Sequence, residues 1–249
     1  MNDVTRAEVC AVACADSWAD AGTVLASPIG IVPTVGARLA KLTTAPELLL
    51  TDGEAQLLAD VPPMGSGADG ATVEGWMPYR KVLDMLAGGQ RRVMMGATQI
   101  DRHGNQNISR IGTWDAPKVQ LIGVRGAPGN TINHTTNYWI PQHGPRVFVE
   151  SVDVVSGVGH DRARRVGARY HDVSVVVTDL AVLDFAGPEA TMRLRSVHPG
   201  VTVEQVQENT GFPLAIDTVE QTRLPTSEEL DLIRSTVDPK DLRSQEVAQ

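Results

Sequence analysis

The chain has 249 residues, with 22 basic side chains against 30 acidic ones and a formal net charge of −8. No basic stripe interrupts that acidity and aromatics are only 4% of the sequence, which argues against a nucleic-acid surface or a base-stacking platform. The length suffices for a buried core, and neither a basic-then-apolar leader nor an apolar run of membrane-spanning length is present. Two cysteines, Cys10 and Cys14, stand one helical turn apart, a spacing that suits thiols in a reducing compartment better than a strained same-helix disulfide.

In chain order, Thr5-Arg6-Ala7-Glu8 is a capping box, and a helix is predicted from it to about Ala21, with Gly22 as its stop. Thr23–Ala26 is a short strand candidate broken by Ser27-Pro28-Ile29-Gly30. A second helix is predicted over Val35–Lys41. Leu48-Leu49-Leu50 is a buried strand ending in Thr51-Asp52-Gly53-Glu54, where Asp52 suits a cap and Glu54–Leu58 the start of a helix. Residues 61–75 form a Pro/Gly-rich loop. Its Gly65–Gly70 stretch matches G-x-G-x-x-G, but no strand feeds it and no apolar helix follows, so it is not a dinucleotide fingerprint. A helix over Pro78–Ala87 is expected to turn Val82, Leu83 and Leu86 inward.

Two apolar runs, Val93–Met95 and Val119–Val124, are expected to be buried strands. Each empties into a loop of glycine and amide residues. The first is Gly96–Asn107 and the second is Arg125-Gly126-Ala127-Pro128-Gly129-Asn130. Glycine lets backbone approach a ligand, and Asn and Gln offer donors and acceptors without charge. Ligands of open α/β sheets sit outside the carboxyl ends of strands. The same residues serve equally as two ordinary turns. Further on, Val147–Val149 is a strand candidate and residues 156–169, with several arginines, a solvated loop. Val173–Val177 is a β-branched buried strand with Ala181–Phe185 as its hairpin partner. Thr202–Gln205 and Thr226–Glu229 are further capping boxes, and Pro239 stops the last helix.

Strands and helices alternate along one 249-residue unit with no linker. The expected fold is α/β, an open and largely parallel sheet with helices on both faces and a late antiparallel section. The six histidines show no zinc spacing, and neither a P-loop nor a G-x-S-x-G elbow is present. His103 and His134 lie near the central loops, where they suit turn or surface positions better than acid/base work.

Gly96-Ala97-Thr98-Gln99-Ile100-Asp101 with Gly104-Asn105-Gln106-Asn107 resembles the G-A-Q-Q-D-x-x-G-N-x-N segment of class I CoA-transferase beta subunits. Gly123–Asn130 resembles their next glycine-rich loop, and Val176–Val182 their V-x-T-D-L-A-V segment. His198–Thr202 with Thr210-Gly211-Phe212 resembles their C-terminal part. In that family a strand-end glutamate forms a glutamyl thioester, and here Thr51 stands in its place. Glu54 falls beyond the glycine, outside the motif. One branch shares this departure: the chain is similar throughout to beta subunits of actinobacterial cholesterol ring-cleaving hydrolases, including Leu49–Leu58, Glu74–Pro78 and Pro128–His134.

That resemblance implies hydrolytic opening of the last steroid ring on a CoA thioester, in the cytoplasm. It implies a homologous alpha subunit, in an α2β2 assembly, that carries the main acid/base glutamate. No cofactor beyond the substrate's CoA and no metal is expected. The alternative is a true CoA-transferase using Glu54 as a displaced nucleophile. Retro-Claisen cleavage needs stabilised oxyanion or enolate charge. Arg125, Gly126, Gly129 and Asn130 are candidates for that charge, Gln56, Asn105 and Asn107 for orienting carbonyls, and Thr51 for the pocket wall.

Overall fold

The computed structural model describes residues 4–53, 55–68 and 70–247. They fall into two compact units, one formed by the chain up to Met94 together with Arg223 onward, the other by Met95–Thr222.

In the first unit the capping box opens α1 (Arg6–Asp16): the Glu8 N–H donates to Thr5 Oγ1 and the Thr5 N–H to Glu8 Oε2, 2.9 Å away. The helix stops at Asp16, short of the expected Ala21, because Ser17 turns its hydroxyl onto the Cys14 carbonyl (2.7 Å) and Trp18 is fully buried. The small residues of α1 let α2 (Ile31–Leu42) pack so closely that a Cβ on Gly36 would lie 2.6 Å from the Cys14 Cβ. Helix α2 starts four residues before the predicted Val35, since Pro33 occupies its first turn, where a missing N–H costs nothing.

Between the helices, β1 (Leu25–Pro28) pairs in parallel with β5 (Arg91–Met95). Strands β2 (Leu50–Thr51), β3 (Gln56–Leu58) and β4 (Val73–Trp76) form an antiparallel meander. The helix expected over Glu54–Leu58 is therefore a strand, and Glu54 itself lies outside the described residues. The physical reason is local. Asp52 Oδ1 accepts the N–H groups of both Ala55 and Gln56 at 3.0 Å, and the Asp52 N–H reaches Gln56 O at 3.1 Å, which closes a hairpin instead of capping a helix. Helix α3 (Tyr79–Ala87) follows; it buries Met85, while Leu83, expected inward, is half exposed. Leu25, Met77 and Met85 form a core cluster with Leu49, Leu57 and Val82 packed against it.

In the second unit β6 (Gln99–Ile100) and β7 (Gln106–Asn107) make a tight antiparallel pair, as do β8 (Arg110–Gly112) and β9 (Pro117–Gln120). Strand β9 corrects the expectation of a buried strand over Val119–Val124. All four of its residues are exposed, it pairs with β8 as a two-stranded ribbon, and no strand continues through Leu121–Val124. Helix α4 (Ala127–Asn133) leads into β10 (Thr135–Ile140). Val147–Val149 is not a strand and makes a single bridge, Phe148 to Ile100.

Residues 160–166, read as loop from their arginines, form α5 (His160–Val166). It carries Asp161 in the first turn, Arg164 and Arg165 in the last, and Gly167 left-handed at φ 66° as its stop. Strands β11 (Asp172–Thr178), β12 (Ala181–Asp184), β13 (Arg193–Val197) and β14 (Ala215–Gln221) follow, with α6 (Val203–Glu208) between the last two. The β11–β12 hairpin is as predicted. The pairs β10–β11 and β13–β14 are parallel, and β11–β12 and β12–β13 antiparallel. The chain is thus mixed α/β, its β1–β5, β10–β11 and β13–β14 pairs parallel around a late antiparallel section.

Helix α7 (Ser227–Leu232), capped by Thr226, belongs to the first unit. There Glu8, fully buried, accepts from Arg234 Nε (2.7 Å) and Arg243 Nη2 (3.0 Å). Among the described residues no helix is long and apolar enough to cross a membrane.

Candidate functional site

In the first unit the carboxyl ends of β1 and β2 and one face of α2 enclose a cleft of about 310 Å³. Its walls are Ala26, Ser27 and Pro28 from β1, Thr34, Ala37 and Arg38 from α2, and Leu50 with Thr51, Asp52 and Gly53 from β2 and its turn, closed by Leu58 and Pro62. This is where open α/β sheets place ligands. Thr51, singled out from the sequence, is in this wall; its Oγ1 accepts the Gly53 N–H at 3.1 Å. Gln56 sits on β3 opposite Trp76, exposed, and its backbone closes the Asp52 turn.

Ser27, Thr34 and Arg38 carried no signal of their own in the sequence. The available clue was positional, a strand–Ser-Pro-x-Gly–helix connection like other βα ligand loops. Arg38 Nη1 donates to Pro62 O at 2.6 Å, and burial lowers its affinity for the proton, with the charge of Asp238 acting the other way. Arg38 is the one cation among the described residues that line the cleft.

In the second unit Asn105 and Asn107 are 2% and 0% exposed. The Asn105 amide donates to Asp101 Oδ2 and to Asp161 Oδ1, each 2.9 Å away, and its Oδ1 accepts the Gly159 N–H at 2.8 Å. Burial pushes the Asp101 carboxyl above its ordinary range, partly offset by the Asn105 side chain and by the N–H groups of His103 and Asn105, with Asp161 adding to the rise. Asn107 Nδ2 donates to Gln99 Oε1 and Arg110 O (both 2.7 Å), and its Oδ1 accepts from Ser109 N at 2.9 Å. His103 offers its backbone to this turn: its N–H meets Asp101 Oδ1 and its carbonyl takes the N–H of His160. His134 is buried, with Nδ1 3.0 Å from Thr135 O.

The second glycine-rich segment forms the start of α4. Arg125 is exposed and held at φ 49°, and Gly126 precedes the helix as its cap. Gly129 lies within α4, and the buried Asn130 sends its backbone N–H to Gly126 O (2.9 Å) and its amide toward Met95 Sδ (3.6 Å). Arg125 and Gly126 thus face solvent a few residues beyond the exposed strand β9, and Trp114, Ile122 and Val124 nearby in the chain are also exposed. Among the described residues no group of three His, Cys, Asp or Glu is placed to hold a metal ion.

The family model for coenzyme A transferase matches residues 81–209. The cholesterol ring-cleaving hydrolase IpdB subunit of Rhodococcus jostii (strain RHA1) is 53% identical over 251 aligned residues, 100% of this chain and 98% of that protein. The IpdB subunit of Mycobacterium tuberculosis (strain ATCC 25618 / H37Rv) is 54% identical over 246, covering 98% of each. The crystal structure of Rhodococcus jostii RHA1 IpdAB superposes with a TM-score of 0.94 at 53% identity, covering 100% of both chains. The chain belongs to the coenzyme A transferase family, as a subunit of the IpdB type.

Proposed function

We propose that this chain is the beta half of a heteromeric hydrolase that opens the last ring of a steroid-derived cyclic β-keto CoA thioester. Its partner is the homologous alpha subunit, in an α2β2 assembly, and the reaction runs in the cytoplasm with no cofactor beyond the substrate's own CoA. One observation supports hydrolysis over transfer. At the end of β2, where the related transferases hold a nucleophilic glutamate, stands Thr51, a hydroxyl engaged by the Gly53 N–H. The neighbouring Asp52 Oδ1 is taken up by two backbone N–H groups. A threonine without a positioned base is a poor acyl acceptor, so water serves as the nucleophile.

Water adds to the ring ketone carbon. The bond from that carbon to the thioester-bearing carbon then breaks, and its electron pair becomes a thioester enolate that takes up a proton. The water oxygen stays in a new carboxylate, and the remaining proton goes to solvent. The alpha subunit's glutamate activates the water. Arg125, Gly126 and Gly129 supply donors for the developing negative charge, and Asn130 holds their turn through its N–H to Gly126 O. Asn105 and Asn107, buried and fully engaged, hold the central turn in shape, and Gln56 supports the Thr51 turn through its backbone.

The test is trapping with borohydride and with hydroxylamine during turnover of the co-expressed pair. No modified glutamate on this chain is expected. A glutamyl adduct at Glu54 would return the chain to the transferases.

A further inference from the structure

The cleft of the first unit has a donor arrangement that the ring-opening reading leaves unused. Ser27 Oγ accepts from Arg91 Nε at 2.7 Å, and Thr51 Oγ1 accepts the Gly53 N–H at 3.1 Å. A hydroxyl that accepts a hydrogen bond still has its own hydrogen to give. Arg38 uses one Nη1 hydrogen on Pro62 O, which leaves further N–H groups of its planar fork. Two hydroxyl donors and one guanidinium therefore line the same 310 Å³ space. The one carboxylate among the described residues of its wall, Asp52, accepts two backbone hydrogen bonds on one oxygen. Two hydroxyl donors with a cation on one wall suit a small oxyanion, and a guanidinium fork suits a carboxylate in particular.

The starting β-keto thioester carries no free carboxylate at its ring ketone; hydrolysis of the carbon–carbon bond creates one. We propose that Arg38, with the hydroxyls of Ser27 and Thr51, receives the carboxylate produced by ring opening, so that this cleft favours the opened acid over the closed ring. The proposal rests on the hydrolase reading above. It makes Arg38 a positioning residue for the product-like end of the reaction and leaves water activation to the alpha subunit. It also gives the Thr51 position a second purpose: a glutamate there would place a negative charge beside the nascent carboxylate and repel it.

The experiment is product inhibition of the co-expressed complex, with the ring-opened acid, its methyl ester and free CoA as inhibitors. It is run on wild type, Arg38→Gln, Arg38→Lys and Thr51→Val, with thermal melting of each complex recorded alongside. Loss of one charge-assisted hydrogen bond is expected to weaken inhibition by the acid about 10- to 100-fold in Arg38→Gln. Arg38→Lys should recover part of that loss, and inhibition by the ester and by free CoA should be unchanged. Thr51→Val should move the acid in the same direction by a smaller factor, which keeps the test decisive if Arg38→Gln melts early. Unchanged inhibition by the acid in both Arg38→Gln and Thr51→Val, with ring opening intact, overturns this assignment alone. Equal weakening of free CoA assigns the cleft to the CoA phosphates and overturns it too. No ring opening by the wild-type complex overturns both this proposal and the reading on which it rests.

Discussion

Replacing Asn105 by alanine separates two roles that a buried amide in a glycine-rich loop can have. The side chain is 2% exposed and makes three hydrogen bonds, two of them to the carboxylates of Asp101 and Asp161 and one from the Gly159 backbone. A hydrogen bond to a charged group contributes about 1.5–3 kcal/mol and a neutral one about 1. The three share one amide and are not independent, so the expected loss is about 3–5 kcal/mol. The loss is hard to relieve locally. A Cβ on Gly159 would sit 2.5 Å from the Asn105 nitrogen and closer still to the His103 carbonyl, so the two loops are already in contact. For a chain of this size the melting temperature should fall by roughly 6–20 °C. The assay is thermal unfolding of the complex together with KM and kcat at a temperature where the variant is folded. An unchanged melting temperature with a raised KM would refute the scaffold role and place the amide against substrate.

Other substitutions test the packing of charge. His143 is wedged between Thr178 and Thr210 and stacked on Phe148 with ring centroids 3.9 Å apart, and burial pushes its imidazole down to about 3. The unfolded chain therefore binds the extra proton first. Stability contributed here is present above pH 6.5 and is lost at roughly 1.4 kcal/mol per pH unit as pH falls toward 3; urea midpoints of His143→Gln should show a flatter slope across that window. Glu8→Gln breaks a fully buried carboxylate away from Arg234 and Arg243 and should cost about 3–5 kcal/mol, whereas Asp16→Asn at the half-exposed Arg223 pair should cost under about 1. Equal urea midpoints for those two variants would contradict the contrast. Glu8 is held below the ordinary carboxylate range because, against the opposing effect of burial, it is bonded by Arg234 and Thr5 and faces Arg243. Its share of stability is therefore present above pH 4.5 and lost as pH falls.

The legible parts of the fold were those written in short-range chemistry. The capping boxes at Thr5, Thr202 and Thr226 are all formed, because a hydroxyl and a carboxylate or amide three residues apart need no tertiary help. The β11–β12 hairpin was legible from its β-branched run and short turn. What failed depended on neighbours. Gln56–Leu58 is a strand because Asp52 folds its turn back and β4 arrives from fifteen residues on. Residues 160–166 are a helix without any side-chain cap at Gly159, so arginine count alone suggested loop. Apolar Val119 and Ile122 proved exposed because β9 is a lone ribbon with β8, which hydrophobicity along the chain cannot reveal. At the site, Thr51 was found by motif, but Ser27, Thr34 and Arg38 come from other elements and are assembled only by the parallel pairing of β1 and the packing of α2.

The most direct test of the central claim is oxygen-18 incorporation. The co-expressed alpha and beta chains are incubated with a cyclic β-keto CoA thioester in H2-18O, with no carboxylic acid acceptor, and the product is weighed by mass spectrometry. The account predicts ring opening without an acceptor and one heavy oxygen in the new carboxylate. CoA exchange that requires an added acid, with the carbon ring left closed, would contradict it.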